Sequence, residues 1–480
     1  MEGTTLEMQL EVEANPSGGH HPPPVVSLEC IRDQPVGRAS WRTATLGMSF
    51  GIPLFSRQVV IVRKTEISLA PGKIVLLAGP SGSGKSSALG RIEAHFAGAC
   101  LVQRVTFPPG VAVIDRIAPW ATLAEALSIA TSCGLSEASL WVRPFETLSD
   151  GEKFRARLAR AVALHGRSRA AAPLLCDEFC SNLHRRAAKA VSYNLRKLVT
   201  RRNLSVVVAC SQDDLIDDLQ PDLVVRFRGD GSCEIQERTV CANQAISFRP
   251  RLRVVRGSKR DYERFAAMHY RASDELGFVD KVFVLREGWI GEMLGIVVYS
   301  HGPLELSLRN RATGGRFSRN AKGVNRSFRI LRRLVIHPDI RGCGLGHDLV
   351  RRSLPRVGTE YVECLAAMGE FNPVFETAGM QRIGQYEVAP KQKAALEALR
   401  SMDVDPNSRE FTLQVCRRRR VREIVASVVR DWYAATTAGG ESRVARQSPQ
   451  LLAQTFRGLI GSKPVYYLWR RKKRIHRKTR

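Results

Sequence analysis

KIVLLAGPSGSGKSSALG, residues 73–90, joins an apolar run of strand type to a helix-forming stretch. Between them stand Gly79, Pro80, Ser81, Gly82, Ser83, Gly84, Lys85, Ser86 and Ser87, of which Gly79–Ser86 fits GxxxxGK[ST] in the strand-then-helix setting the pattern needs. Gly82 and Gly84 let the backbone turn its N–H groups inward, and the helix start adds the positive end of a dipole, so the segment is expected to bind a nucleotide. Lys85 is expected on its β- and γ-phosphates and Ser86 on Mg2+. Working outward, PLLCDEF (173–179), LSVVVAC (204–210) and DLVVRF (222–227) repeat the apolar strand at intervals filled by longer helical patterns. That alternation predicts a parallel α/β sheet with helical crossovers.

Two segments narrow the chemistry. TLSDGEKFRARLARAVAL (147–164) sets Leu148-Ser-Asp-Gly-Glu152 at a helix start, and Asp177 closes an apolar strand with Glu178 directly after it. Asp177 holding Mg2+ through water while Glu178 orients the attacking water is the division of labour that phosphoryl transfer needs. Residues 45–245 thus resemble an ABC-type ATPase, with LSDGE standing for the family's LSGGQ signature. The resemblance implies ATP hydrolysis with ATP and Mg2+ as cofactors, Ser86 and Asp177 on the metal, and Glu178 as the catalytic residue. It also implies an ATP-dependent head-to-tail homodimer in which Ser149 and Gly151 of one copy contact the γ-phosphate held by the other. Departures are visible: Gln212 stands where the family has its switch histidine, SNLH (181–184) replaces SALD, and the Q-loop is represented by Gln103 or Asp115. Gln212 donates a hydrogen bond but carries no proton or charge, so modest, switch-like hydrolysis is expected.

A second glycine loop, RGCGLG at 341–346, follows the strand pattern ILRRLVIHP and leads into LGHDLVRRSL. Ahead of it lies the hairpin VFVLREGWIGEMLGIVVYS (282–300), and after it come EYVECLAAM and FNPVFETAGM. In that order, residues 250–390 resemble a GCN5-related N-acetyltransferase (GNAT) domain. The resemblance implies acetyl-CoA as cofactor, its pyrophosphate on Arg341, Gly342, Cys343, Gly344, Leu345 and Gly346. It places the thioester on the backbone N–H of Val335 or Ile336 at a splay between strands, with Asn372 helping to hold the cofactor. Phe375 occupies the place of the family's frequent tyrosine acid and has no proton to give. His337 is expected to be structural, and Glu363 and Glu370 are looser base candidates.

The chain of 480 residues exceeds what one hydrophobic core usually supports. The expected order is a flexible N-terminal extension (1–44), the ATPase domain (45–245), the GNAT-like α/β domain (250–390) and a basic, mainly helical C-terminal region with tail (391–480). The stretch PSGGHHPPP (16–24) reads as a polyproline-like linker, with His20 and His21 as solvated loop residues. Eleven cysteines without a CxxC pair fit reduced thiols. No transmembrane segment is expected, since no run nears the ~18 apolar residues a span needs, and the acidic start MEGTTLEMQLEVE lacks a secretion signal, so a cytoplasmic location is expected.

The net charge is +28, and from Lys391 to Arg480 there are 22 Lys and Arg against 7 Asp and Glu. The ending LWRRKKRIHRKTR favours nucleic acid through counterion release, and Tyr466, Tyr467 and Trp469 could stack on bases or pack a terminal helix. From Ser307 to His337 nine basic residues occur without an acid: Arg309, Arg311, Arg316, Arg319, Lys322, Arg326, Arg329, Arg332 and Arg333. A cation-lined approach repels polyamines and attracts phosphates, which points to RNA or DNA. The expected function is an ATPase with an acetyl-CoA-dependent acetyltransferase domain acting on or with nucleic acid, RNA favoured. The alternatives are a nucleic-acid clamp whose second domain only senses acetyl-CoA, and an ATPase subunit of a transporter.

Overall fold

The computed structural model describes residues 24–166, 172–241, 244–269, 276–387, 389–408, 410–436, 444, 447–461 and 464–472. His20, His21 and the tail from Lys473 lie outside them. The chain folds as two units. The first comprises residues 1–106, 157–183 and 195–244, and the second residues 107–156, 184–194 and 245–480.

In the first unit the expected parallel sheet is present. Its order is Cys233–Glu237, Leu223–Phe227, Ile74–Ala78, Val206–Cys210, Leu174–Cys176 and Cys100–Leu101, parallel throughout except for the Cys233–Glu237 edge. Ile74–Ala78 and Val206–Cys210 are buried along their whole length, which explains why they read as continuous apolar runs rather than alternating ones. Asp222 pins this core at one end: its carboxylate accepts from the backbone N–H of Ile74 (2.9 Å), Lys73 Nζ (2.9 Å) and Arg196 Nη1 (2.7 Å).

The expected flexible extension to residue 44 needs correction from residue 24 onward. Val25–Ser27 pairs antiparallel with Glu66–Ser68, and Cys30–Gln34 with Arg57–Val62, while Val26, Leu28 and Cys30 are buried. These strands are three and five residues long, too short to give a periodic signal beside a proline-rich stretch.

The second unit is built on a seven-stranded sheet. Its order is Leu252–Arg256, Val279–Glu287, Met293–Ser300, Phe328–Ile336, Tyr361–Ala366, Val465–Arg470 and Gln381–Gln385. All neighbours are antiparallel except Phe328–Leu331 with Tyr361–Cys364. One face carries the helix Leu345–Ser353 over Leu294, Val297, Tyr299 and Val362; the other carries Lys259–Ala266 over Val282, Val284, Ile296 and Val298. Four helices, Pro390–Arg400, Phe411–Arg417, Arg419–Thr436 and Pro449–Ile460, form their own core around Leu399, Phe411, Val425 and Phe456.

The terminal region carries these four helices, and it also adds a strand that the mainly helical expectation for 391–480 did not include. Val465–Arg470 returns as a strand between Tyr361–Ala366 and Gln381–Gln385. Val465, Tyr466 and Tyr467 are fully buried, so the tyrosine pair packs a core and does not meet bases. A short apolar run without alternation cannot be assigned to strand or helix by periodicity, which is why this one misled. Tyr466 donates to Glu363 (2.8 Å), which also takes Nε of Arg309 (2.9 Å); the Arg309 and Glu363 side chains are both 0% exposed. Among the described residues, no helix is long and apolar enough to cross a membrane.

Candidate functional site

Three strands of the first unit, Ile74–Ala78, Leu174–Cys176 and Val206–Cys210, run parallel, so the loops at their carboxyl ends gather at one end of the sheet. That end holds the loop Gly79–Ser86, the pair Asp177–Glu178, and Gln212, and the carboxyl end of a parallel sheet is where α/β proteins bind ligands. Gly79 has φ +151° and approaches the chain so closely that a Cβ would lie 2.6 Å from the carbonyl oxygen of Phe227. Gly84 caps the helix Lys85–His95 without any side-chain hydrogen bond, which leaves that helix start open.

Lys85 Nζ donates to the carbonyl oxygens of Gly79 (2.8 Å) and Pro80 (2.6 Å). Burial pulls the Lys85 ammonium below its ordinary value, against the raising fields of Asp177, Cys210 and Glu178, so the carboxylate pair lies within electrostatic reach of the lysine. The Ser83 hydroxyl is buried and has no hydrogen-bond partner among the described residues, an orphan that a phosphate oxygen would satisfy. The loop therefore fits a nucleotide triphosphate. Pro80, Ser81, Gly82, Ser86 and Ser87 lie in the same loop and helix start, Ser86 exposed. Ser86 and Asp177 supply the oxygen donors that a hard divalent cation prefers.

Glu178 has φ +43°, a conformation uncommon for a non-glycine residue, and its N–H donates to Asp177 Oδ1 at 2.9 Å. Gln103 takes hold of Asp177 from the turn Val102–Arg104 that follows the edge strand: its Nε2 donates to the Asp177 carbonyl, and its Oε1 accepts from the Asp177 N–H (3.3 Å). Of the two Q-loop candidates, the structure brings Gln103 to the acidic pair, whereas Asp115 sits in the helix Ile114–Ile117 of the second unit. Gln212 is exposed at the end of its strand, with its N–H on Cys210 Sγ (3.4 Å).

Ser149 and Gly151 belong to the second unit, where Ser149 is exposed at the start of the helix Asp150–His165. The Ser149 N–H donates to Glu152 Oε2 at 2.8 Å, half of a capping box that explains why LSDGE begins a helix.

The second glycine loop lies in the second unit. Phe328–Ile336 pairs with Tyr361–Ala366 only as far as Leu331 and Cys364, so Arg332–Ile336, with Val335 and Ile336 buried, has a strand neighbour on one side alone. A ladder irregularity falls at Arg332, where Val298 and Tyr299 face Arg333 and Leu331. The strand then leads through Pro338–Ile340 to Gly344, which caps the nine-residue helix Leu345–Ser353 with φ +79° and no side-chain bond. The backbone of Gly344, Leu345 and Gly346 thus fits an anion at an open helix start.

Arg341 has other work. Its guanidinium donates to the carbonyl oxygens of Ile336, Ser136 and Met268, each at 2.8 Å, and burial pulls it below its ordinary value. It ties the loop down and has little left for a phosphate. Gly342 is packed so tightly that a Cβ would lie 2.8 Å from Asn194 Nδ2, and the Cys343 thiol is buried. Ser136 Oγ adds a bond to the Pro338 carbonyl (3.0 Å). Ser136 and Asn194 left no signal in the sequence, since they act on a loop more than a hundred residues away.

Asn372 is exposed, and Phe375 is buried with its ring 5.4 Å from that of Tyr467. His337 Nδ1 accepts from the Asp339 N–H (3.4 Å) and so caps the turn, as expected for a structural role. Glu363 is consumed by Arg309 and Tyr466, which removes it as a free base, and exposed Glu370 receives Gln385 Nε2 at 3.2 Å. Among the nine basic residues, Arg309 is fully buried and Arg329 pairs with Asp280 (2.9 Å), while Arg311, Arg316, Arg319, Lys322 and Arg326 are exposed.

No family model matches the chain. It is 30% identical over 207 residues to the lipoprotein-releasing system ATP-binding protein LolD of Novosphingobium aromaticivorans, covering 35% of this chain and 87% of that one. It is 32% identical over 126 residues to the aliphatic sulfonates import ATP-binding protein SsuB 3 of Nocardia farcinica, covering 22% and 48%. Among solved structures, the dimeric bacterial ABC transporter cassette MJ0796 is 16% identical with a TM-score of 0.33, covering 45% of this chain and all of that one. The cassette cbiO1 of Clostridium perfringens is 14% identical with a TM-score of 0.30, covering 37% and 82%. With an open phosphate loop, an acidic pair at the neighbouring strand end and 30% identity across most of a curated cassette, the chain belongs to the ATP-binding cassette family of ATPases.

Proposed function

We propose that this chain is an ATP-fuelled acetyltransferase that acts on or with nucleic acid, RNA favoured. ATP binds at Gly79–Ser86 with Mg2+ on Ser86 and Asp177, and Glu178 polarises the attacking water. Two copies meet head to tail, so that exposed Ser149 and half-buried Gly151 of each reach the nucleotide of the other. Acetyl-CoA binds in the second unit, its pyrophosphate on the backbone from Gly342 to Gly346 and its thioester on the N–H of Val335 or Ile336. Bound there, it supplies an activated acyl group, and the protein's part is to hold it in line with an amine.

The observation that carries this reading is the interrupted pairing of Phe328–Ile336 with Tyr361–Ala366. It leaves one edge of Arg332–Ile336 without a strand partner directly ahead of an open helix start. Titration of acetyl-CoA into the full chain by calorimetry is the test. Binding that is lost in Gly344→Trp supports the reading, and heat that is unchanged in that variant contradicts it.

Phe375 favours a second reading, in which the same site senses acetyl-CoA without efficient turnover. Its ring offers no proton, and the neighbouring Tyr467 spends its hydroxyl on the Gly369 carbonyl (3.2 Å). Binding without transfer to any acceptor would decide for it. A transporter role rests on the names of two relatives and leaves the seven-stranded sheet without a task.

A further inference from the structure

In the second unit, beside His337, lies a cavity of about 460 Å3. Phe265, Met268 and Met293 give it an apolar floor, and Ile290, 93% exposed at the tip of the hairpin Val279–Ser300, borders it. Arg264, on the helix Lys259–Ala266, and Arg286, on the strand Val279–Glu287, belong to its wall. Neither has a hydrogen-bond or ion-pair partner among the described residues.

The strand ladder makes the charge harder to explain as packing. Arg253 stands directly opposite Arg286, and like charges in that position destabilise a sheet. The carboxylate at hand, Glu292, is committed to Arg186 at 2.7 Å. Exposed Arg264 and half-buried Arg286 thus stand without an ion-pair partner among the described residues, beside a buried apolar surface.

That combination fits a ligand with an anionic group on a flat, weakly polar body. Guanidinium forks grip phosphate oxygens, and an apolar floor takes a base. The volume falls in the ~300–1,000 Å3 range of sites for ligands of that size. We propose that this cavity binds a nucleotide, either free or as one unit of a single strand presented to the acetyltransferase site. The single-strand form rests on the nucleic-acid reading above, whereas the free form does not.

The test is photolabelling of the full chain with 8-azido-AMP and, separately, with a 5-iodouracil-substituted single-stranded oligonucleotide, followed by peptide mapping. Both labels are expected on the peptides that carry Phe265–Met268 and Ile290–Met293. Arg264→Glu with Arg286→Glu should lower that labelling about tenfold, the scale of a lost charge-assisted contact. Arg264→Gln with Arg286→Gln should lower it too, with the melting temperature unchanged, since neither charge has a partner within the fold. Labelling by 8-azido-AMP at the cavity, with no oligonucleotide bound, supports the site and overturns the nucleic-acid reading. An oligonucleotide that binds but labels residues 311–326 instead, with no 8-azido-AMP at the cavity, overturns the site and leaves nucleic-acid association standing. Cavity labelling that laurate displaces and AMP does not also overturns it.

Discussion

Nη1 of Arg341 donates to the carbonyl oxygen of Ser136 across 2.8 Å, joining the RGCGLG loop to the stretch that precedes the LSDGE helix. Both residues belong to the second unit, so the loop and the LSDGE segment share one body. Arg341→Ala should therefore act on the fold before it acts on any ligand. Three hydrogen bonds from a buried charge are lost, and about 3 kcal/mol of stability with them. Thermal unfolding checks this, with a melting temperature equal to the parent's as the contrary result.

Glu178→Gln should keep ATP binding and lower hydrolysis about a hundredfold or more, since water orientation and charge stabilisation carry most of phosphoryl transfer. Lys85→Ala should weaken binding itself, because it removes the cation that now rests on the Gly79 and Pro80 carbonyls. Steady-state phosphate release and a nucleotide filter assay separate the two. Equal turnover in Glu178→Gln and the parent would remove Glu178 from the reaction.

Gln212 lies at the strand end where a histidine is expected, and it cannot move a proton. Gln212→His should raise turnover about tenfold, the lower side of what a positioned acid or base contributes. No rise would mean that the switch position does not limit hydrolysis in this chain.

Asp222 provides a pH test of the first unit. Burial raises its pKa, but Lys73, the Ile74 N–H and Arg196 outweigh that, and the net shift is downward. A carboxylate lowered in the folded state stabilises above its unfolded value, near ~3.9, and loses that contribution as pH falls through the folded value. Asp222→Asn should melt below the parent at neutral pH, and the gap should narrow below about pH 4 and close as pH falls through the lowered folded value. A gap that is constant with pH would assign the difference to packing.

Glu363→Ala should leave Arg309 buried without a counter-charge and cost about 3–5 kcal/mol. Denaturant unfolding checks it. A small loss would mean that the Pro303 and Leu304 carbonyls suffice to hold the guanidinium.

The phosphate loop and the acidic pair could be read from the sequence because each is local. A glycine pattern between strand and helix, or an acid at a strand end, needs no distant partner to be recognised. The parallel sheet was readable for a related reason, since strands covered on both faces are apolar throughout. What escaped depends on residues far apart. Gln103 and Asp177 meet across 74 positions, Arg341 meets Ser136 across 205, and Val465–Arg470 enters the sheet after a helical insertion. The same six-residue run, with its tyrosines beside a basic tail, fits a surface for bases and the packing of a terminal helix equally well, and only strand pairing shows that Tyr466 and Tyr467 are core.

Transfer of radiolabel from acetyl-CoA to total RNA by the full chain decides whether the two halves make one enzyme. Label should enter RNA with the parent chain, rise when ATP is added, and fall in Glu178→Gln. Label confined to protein, or absent from RNA with and without ATP, would contradict an ATP-fuelled acetyltransferase acting on RNA.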